Sequence, residues 1–225
     1  MANEKHALII GASRGLGLGL AQRLRTEGWQ VTATVRGNPP AQLEEAQIQV
    51  EPLEMNDLAS QDTLAKALAG QVFDIVFINA GVMGPTGSLD AVTPEAFSSL
   101  FTTNVLSPVR LAKRLVSNLR PGTGVLAFMS STLGTVTSPD AVEAPLYKAS
   151  KAALNSMVNT FAIQLPEPRP AVLCMHPGWV KTDMGGPQAD IDVATSAEGM
   201  VRQLQAYAGR AGLHFINYKG ETMPW

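Results

Sequence analysis

Seven short runs of mainly aliphatic, aromatic and β-branched residues recur along the chain: HALII (6–10), QVTATV (30–35), QIQVEPL (47–53), FDIVFI (73–78), GVLAFM (124–129), AVLCMH (171–176) and LHFI (213–216). Between them, apolar residues return every three or four positions over 16–27, 58–68, 97–119, 147–165 and 196–207. The short runs predict strands and the longer spacing predicts helices. Their alternation predicts βαβ units, hence a parallel sheet covered by helices on both faces. A run such as FDIVFI lacks the polar alternate positions of a half-exposed strand, which fits that double burial. The expected fold is therefore α/β: one Rossmann-type, doubly wound domain over 1–225, with about seven parallel strands. A stretch rich in glycine and proline, 177–194, follows the end of a predicted strand. Open α/β sheets bind ligands on that side, so it is expected to be a substrate loop.

The first strand runs into GASRGLG, with glycines at 11, 15, 17 and 19. Glycine lets the backbone take positive φ and approach a ligand closely, and a helix N-terminus offers free N–H groups at a positive dipole end. Gly11 is expected to form the turn, Gly15 to admit a pyrophosphate, and Gly17 and Gly19 to allow close packing. The second strand ends TVRGN, with no carboxylate before Glu44. An acidic residue there would bind a ribose 2′-hydroxyl and favour NAD. Arg14 and Arg36, converging on that place, suit a 2′-phosphate instead, so NADP(H) is the expected cofactor.

In LYKASKAALNSM, Tyr147 and Lys151 lie four residues apart and share one face of a predicted helix. A phenol is a poor proton donor at neutral pH, and a nearby ammonium is expected to stabilise its phenolate and lower its pKa. Hydroxyls at 130–132 follow the strand GVLAFM, where one can polarise a carbonyl oxygen as negative charge grows on it. Asn79, Ala80 and Gly81 follow FDIVFI and let the backbone come close to a cofactor.

Composition narrows the classes. A net charge of -2, with 16% charged and 45% hydrophobic residues, gives no electrostatic reason to expect nucleic acid or an anionic membrane. No apolar run approaches the ~18–20 residues of a membrane span. The first residues lead into a strand without a signal-peptide pattern, and the one cysteine, Cys174, has no internal partner; a cytoplasmic location is expected. No grouping of His, Cys, Asp and Glu has metal-ligand spacing, so no metal is expected. His6, His176 and His214 are expected to serve packing. Met83, Met184 and Trp179 are candidates for a pliable substrate pocket.

Taken together, GASRGLG, NAG at 79–81, SSTLG, YKASK and the PG of HPGWVKT identify a resemblance to the short-chain dehydrogenase/reductase family over essentially the whole chain. Its length, HPGWVKTDMGGP and INYKGETMPW are similar to the small carbonyl-reductase branch that includes sniffer and C-factor proteins. The resemblance implies an oxidoreductase that passes hydride between NADP(H) and a small carbonyl or alcohol. It implies a catalytic set of Asn104, Ser131, Tyr147 and Lys151, with Ser131 chosen over Ser130 by the Ser-x-x-Gly pattern and Asn104 holding a relay water. It places the cofactor against Gly11, Ser13, Arg14, Gly15, Leu16, Gly17, Arg36, Glu54, Met55, Asn79, Ala80, Gly81, Tyr147, Lys151, Pro177, Gly178, Val180 and Thr182. Substrate contacts are expected from Met83, Ser131, Leu133, Trp179 and Met184. A homodimer is expected through the helices over 97–119 and 147–165, where Leu111, Leu115, Met157 and Phe161 serve either a subunit interface or the sheet. The chain departs from the family pattern at Ile10, at Glu54, and in the 16-residue step from Ser131 to Tyr147. A catalytically weak, dinucleotide-binding regulatory protein on the same fold is the competing expectation, and the complete catalytic set argues against it.

Overall fold

The computed structural model describes residues 4–79 and 81–225. Seven strands form one parallel sheet in the order β3-β2-β1-β4-β5-β6-β7. They are β1 (His6–Ile10), β2 (Gln30–Val35), β3 (Gln49–Pro52), β4 (Ile75–Ile78), β5 (Val125–Met129), β6 (Ala171–His176) and β7 (Gly212–Asn217). Chain order reverses between β1 and β4, which opens a crevice at the strands' carboxyl ends. Strand alternation divides the core in two. Ala7 and Ile9 of β1 pack with Leu20, Leu24, Met200 and Leu204, whereas Leu8 and Ile10 pack with Leu64, Leu111, Leu154 and Val158. The first layer holds α1 (Gly15–Thr26) and α7 (Val193–Ala206); the second holds α3 (Leu58–Ala67), α5 (Ser107–Leu115) and α6 (Pro145–Ile163). Burial on both faces is why β4 and β5 have no polar alternate.

Two smaller helices complete the set, α2 (Ala41–Glu45) and α4 (Pro94–Phe101). The five-residue α2 is too short to show a helical period and was not expected from the sequence. Three helix starts are capped by side chains: Asp57 accepts from the Ala59 N–H, Thr93 from Ala96 and Asp192 from Thr195. The Asp192 cap starts α7 three residues before the apolar period does.

The single helix expected over 97–119 is broken. α4 ends at Phe101, Thr102–Leu106 form a π turn, α5 follows, and Val116–Asn118 close in a 3-10 turn. Pro108 explains the break: it lacks the N–H that an α-helix would send to the Asn104 carbonyl, and its ring crowds that carbonyl. The wider π turn relieves the clash. The four residues expected to serve either a subunit interface or the sheet divide between burial and exposure. Leu111, Leu115 and Phe161 are buried against the sheet, and only Met157 of the four is exposed.

The glycines of the first turn separate by role. Gly17 lies directly under the Gly11 carbonyl, and a Cβ there would also stand 2.7 Å from Asn79 Nδ2. Gly19 faces Val193 at the start of α7. Gly17→Ala should therefore destabilise the protein by about 1–3 kcal/mol through overpacking against backbone. Gly37→Ala, where a Cβ meets nothing within 4 Å, should be nearly neutral. Urea unfolding of the two variants against wild type checks this.

Candidate active site

The crevice at the strand ends is an open cleft of about 1810 Å³. That exceeds the ~300–1,000 Å³ typical of one small ligand and leaves room for a dinucleotide beside a substrate. At one end stands the glycine turn. Gly11 has φ +82° and Gly15 φ +56°, values that favour glycine. The turn is fixed from both neighbouring strands: the Gly11 N–H donates to Thr34 Oγ1 (3.0 Å) and Asn79 Nδ2 donates to the Gly11 carbonyl (2.8 Å). No side chain caps the start of α1, in contrast to α3, α4 and α7, and its first turn carries no acidic residue. The donors at this helix start are thus left for an anion, and Gly15 keeps the approach open; its nearest would-be neighbour is the Thr182 methyl at 3.7 Å. These residues fit a dinucleotide pyrophosphate.

At the other end, α6 brings Tyr147, Lys151 and their neighbours against the ends of β5 and β6. Tyr147 and Lys151 are both buried, yet both line the cleft. Lys151 Nζ donates to the Met129 carbonyl (2.8 Å) and lies 5.5 Å from the centre of the Tyr147 ring. Ser131 follows Met129 at the cleft wall, its Oγ accepting from the Leu133 N–H (3.1 Å). Ser130 is turned inward, donating to Asn155 Oδ1 (2.7 Å). The two adjacent serines therefore have different tasks, and Ser131 is the one left to a ligand.

Asn104 sits in the π turn, fully buried, and does not itself line the cleft. Its amide grips the Val82 backbone in both directions, accepting from the N–H and donating to the carbonyl at 2.8 Å each. Its Nδ2 also donates to Ser150 Oγ (3.1 Å), tying the π turn to α6. Gly81 packs over this junction: a Cβ there would stand 3.4 Å from Asn104 Oδ1 and 3.5 Å from Lys151 Nζ.

Burial dominates the titration of the site. It pushes the Tyr147 phenol up to about 12 and the Lys151 ammonium down to about 8. The lowered phenol expected from the neighbouring ammonium is not what the fold alone produces, because Lys151 is aimed at a carbonyl and both groups are desolvated. His176, at the end of β6, is held neutral by burial with a pKa near about 4. Its Nδ1 has no partner among the described residues, so its packing role is only partly satisfied.

Of the residues expected at the site, Ser13, Arg14, Leu16, Arg36, Glu54, Met55, Pro177, Gly178, Val180, Thr182, Met83, Leu133, Trp179 and Met184 all line the same cleft. Gly17 does not; it packs beneath the turn. Ala80 lies outside the described residues. The two arginines do not simply converge. Arg14 reaches across the mouth to Asp183 (2.5 Å), while Arg36 lies 3.9 Å from Glu54. The segment 177–192 is more ordered than its composition implies: Lys181 N–H donates to the Ile191 carbonyl, and Trp179 Nε1 to that of Gly185, both at 2.8 Å. Cleft residues not foreseen include Thr34, Val82, Asp140, Glu143, Asp183 and Tyr218. Asp183 and Tyr218 fall within the quoted stretches HPGWVKTDMGGP and INYKGETMPW, whereas Val82, Asp140 and Glu143 lie outside every quoted motif. Thr34 is one of two threonines that alternate with apolar residues in β2.

A parallel α/β sheet with an uncapped glycine turn at its switch point, and a tyrosine–lysine pair across the cleft, defines an oxidoreductase of the dinucleotide-binding class. The chain belongs to the short-chain dehydrogenase family, whose model matches residues 5–191. It is similar to a short-chain dehydrogenase/reductase of Burkholderia multivorans with bound NADP, at 37% identity and a TM-score of 0.94 over 99% of this chain and 100% of that one. A carbonyl reductase of Pseudomonas aeruginosa PAO1 in complex with NADP is 36% identical, with a TM-score of 0.91 over 99% and 100% of the two chains. The C-signal protein of Myxococcus xanthus is 33% identical over 68% of this chain and 92% of its own. Among the described residues, no helix is long and apolar enough to cross a membrane, and no three His, Cys, Asp or Glu residues are grouped to hold a metal ion.

The depressed lysine predicts a pH signature. Unfolded, Lys151 keeps its proton up to its ordinary 10.5; folded, it releases it near about 8. Between those values the unfolded state binds more protons, so this group makes stability rise with pH. Cys174 acts oppositely above 9, because burial raises its folded pKa to about 12. The gain is therefore confined to roughly pH 8–9. Urea unfolding should show it in wild type and lose it in Lys151→Met.

Proposed function

We propose that the protein is an NADP(H)-dependent reductase of small carbonyl compounds, working reversibly on the matching alcohols. The observation that carries this reading is the presence of Tyr147, Lys151 and Ser131 on one wall of a cleft whose far end is an uncapped helix start. The nicotinamide, when bound, supplies the hydride that adds to the carbonyl carbon. Tyr147 gives its phenolic proton to the carbonyl oxygen, and Ser131 donates a hydrogen bond to the same oxygen, orienting and polarising it. Lys151, fixed by the Met129 carbonyl, supplies positive charge behind the phenol and lies within reach of the ribose hydroxyls. Asn104 holds the loop after β4, at Val82, and α6 together, and its π turn is where a relay water would meet Lys151.

The cofactor's 2′-phosphate is assigned to Arg14 and Arg36. β2 ends without a carboxylate, so the NAD-type contact to the 2′-hydroxyl is missing. Each guanidinium has only an exposed carboxylate partner, Asp183 or Glu54, and a doubly charged phosphate competes well against either. The NADP of the Burkholderia and Pseudomonas structures supports the same choice.

Two experiments test this. NADPH consumption is followed with benzaldehyde, acetophenone and menadione. Wild type should reduce at least one, and Tyr147→Phe none, although the variant still quenches and binds NADPH. Tyr147→Phe with near-wild-type turnover would remove the phenol from the mechanism. Separately, Arg36→Asp should shift kcat/KM selectivity from NADPH toward NADH by about 10- to 100-fold, the worth of one charge-assisted contact. An unchanged ratio would remove Arg36 from cofactor choice.

A further inference from the structure

We infer that Asn155 is a positioning residue for this chemistry, setting the Ser130–Ser131 turn against α6 so that Ser131 and Tyr147 address one oxygen. The inference rests on the catalytic reading given above. Asn155 is 4% exposed and lies on the inner face of α6, four residues beyond Lys151 and eight beyond Tyr147. Its Oδ1 accepts the Ser130 hydroxyl at 2.7 Å. The Ser130 N–H is meanwhile committed to the Met175 carbonyl at 2.8 Å. Ser130 is thus held by backbone on one side and by α6 on the other, and the peptide that carries Ser131 is fixed with it.

The packing around Asn155 is close. A Cβ on Gly134, the last residue of the Ser-x-x-Gly pattern, would stand 2.8 Å from Asn155 Nδ2 and 3.1 Å from the Lys151 backbone carbonyl. The serine turn therefore rests on the helix backbone at Lys151 itself, and Asn155 fills the next step. Any shift of this side chain moves Ser131 relative to both Tyr147 and Lys151.

Stability does not explain the asparagine. Its Nδ2 is buried with no partner among the described residues, and such a donor costs ~1–3 kcal/mol. The same helix face presents Leu154 and Val158 to an apolar core, so a leucine of nearly the same shape would meet compatible neighbours. A polar residue that carries an orphaned donor into the core yet orients the turn bearing a reacting group is explained by function.

The test uses Asn155→Leu, Ser130→Ala, their double variant and Ser131→Ala in the full chain, with whichever of benzaldehyde, acetophenone and menadione wild type reduces fastest. Asn155→Leu trades the orphaned Nδ2 for an orphaned Ser130 hydroxyl, so it should unfold within a few degrees of wild type and bind NADPH as wild type does. Its kcat should nevertheless fall about 10- to 100-fold, the scale of a misplacement near 1 Å, with KM little changed. Ser130→Ala should behave alike, and the double variant should lose no more than the worse single, because both break one bond. A wild-type kcat in Asn155→Leu, additive losses in the double, or a kcat that falls only together with melting temperature and NADPH binding overturns the inference. Failure of Asn155→Leu to fold overturns it too, since stability would then account for the residue. Ser131→Ala separates the two levels. Full activity there, or a wild type that reduces none of the three probes, overturns the catalytic reading; inactivity there beside a fully active Asn155→Leu overturns only this inference.

Discussion

The arrangement of the active site follows from one cost, that of placing the Lys151 ammonium in the protein interior. The residue is 2% exposed, and desolvation alone would favour its neutral form. A buried charge is tolerated only where acceptors meet it, and here the Met129 carbonyl at the end of β5 does so. That bond anchors α6 to the end of β5. The other polar residues of the helix's inner face repeat the pattern: Ser150 takes the Asn104 amide, and Asn155 takes the Ser130 hydroxyl. α6 thereby touches the π turn and the serine turn through separate side chains one helical turn apart. Tyr147, at the cleft end of this ladder, inherits its position from the bonds beneath it.

The cofactor end is built by the opposite means. Where α6 uses polar side chains to reach the sheet, α1 removes side chains altogether. Gly17 lies under the Gly11 carbonyl and Gly19 against Val193, so the helix start is pressed onto β1 on one side and α7 on the other. Its N–H groups are kept free by leaving it uncapped, while Thr34 and Asn79 fix the turn from the flanking strands. Both ends depend on the parallel sheet, because only there do all strands deliver their carboxyl termini to one edge.

Much of this was legible in the sequence, and the reasons for the exceptions are physical. The strands in the middle of the sheet are buried on both faces and leave nearly unbroken apolar runs; β3 and β7 at the edges are only partly buried, yet all seven were visible, with ends shifted by a residue or two. β3 starts at Gln49 rather than at 47 because Gln47 takes φ +55°, outside strand geometry. The motif residues were legible because each motif is contiguous: the glycine turn, the serine turn and the tyrosine–lysine pair each sit within one short segment. The π turn at Asn104 was not, since apolar spacing continues through it and only Pro108 marks the break. Nor could spacing show that Arg14 would reach Asp183, 169 positions away, or that Asn104 would clamp Val82. Contacts of that kind are set by the fold and leave no local period.

The substrate end differs from both in being made largely of loops tied to one another, with the end of the chain resting on β7. Lys148 of α6 donates to the carbonyls of Ser138 and Asp140, both at 2.7 Å, and so holds the segment after the serine turn. The Gly87 N–H donates to the Glu143 carbonyl, joining that segment to the loop after β4. Thr135 Oγ1 donates to the Pro224 carbonyl, which brings in the end of the chain, and Trp225 rests 5.2 Å from Phe215 of β7. Trp179 and Met184 stand half exposed at the opposite rim, on a loop closed by its own backbone bonds. Four separate segments therefore shape the space in front of Tyr147, and none of them carries a strand or a long helix. A change in any one can reshape that space without disturbing the Lys151 anchor, so the fold divides the labour: polar side chains on α6 and the strand ends build the fixed wall of the cleft, and the loops shape the space in front of it.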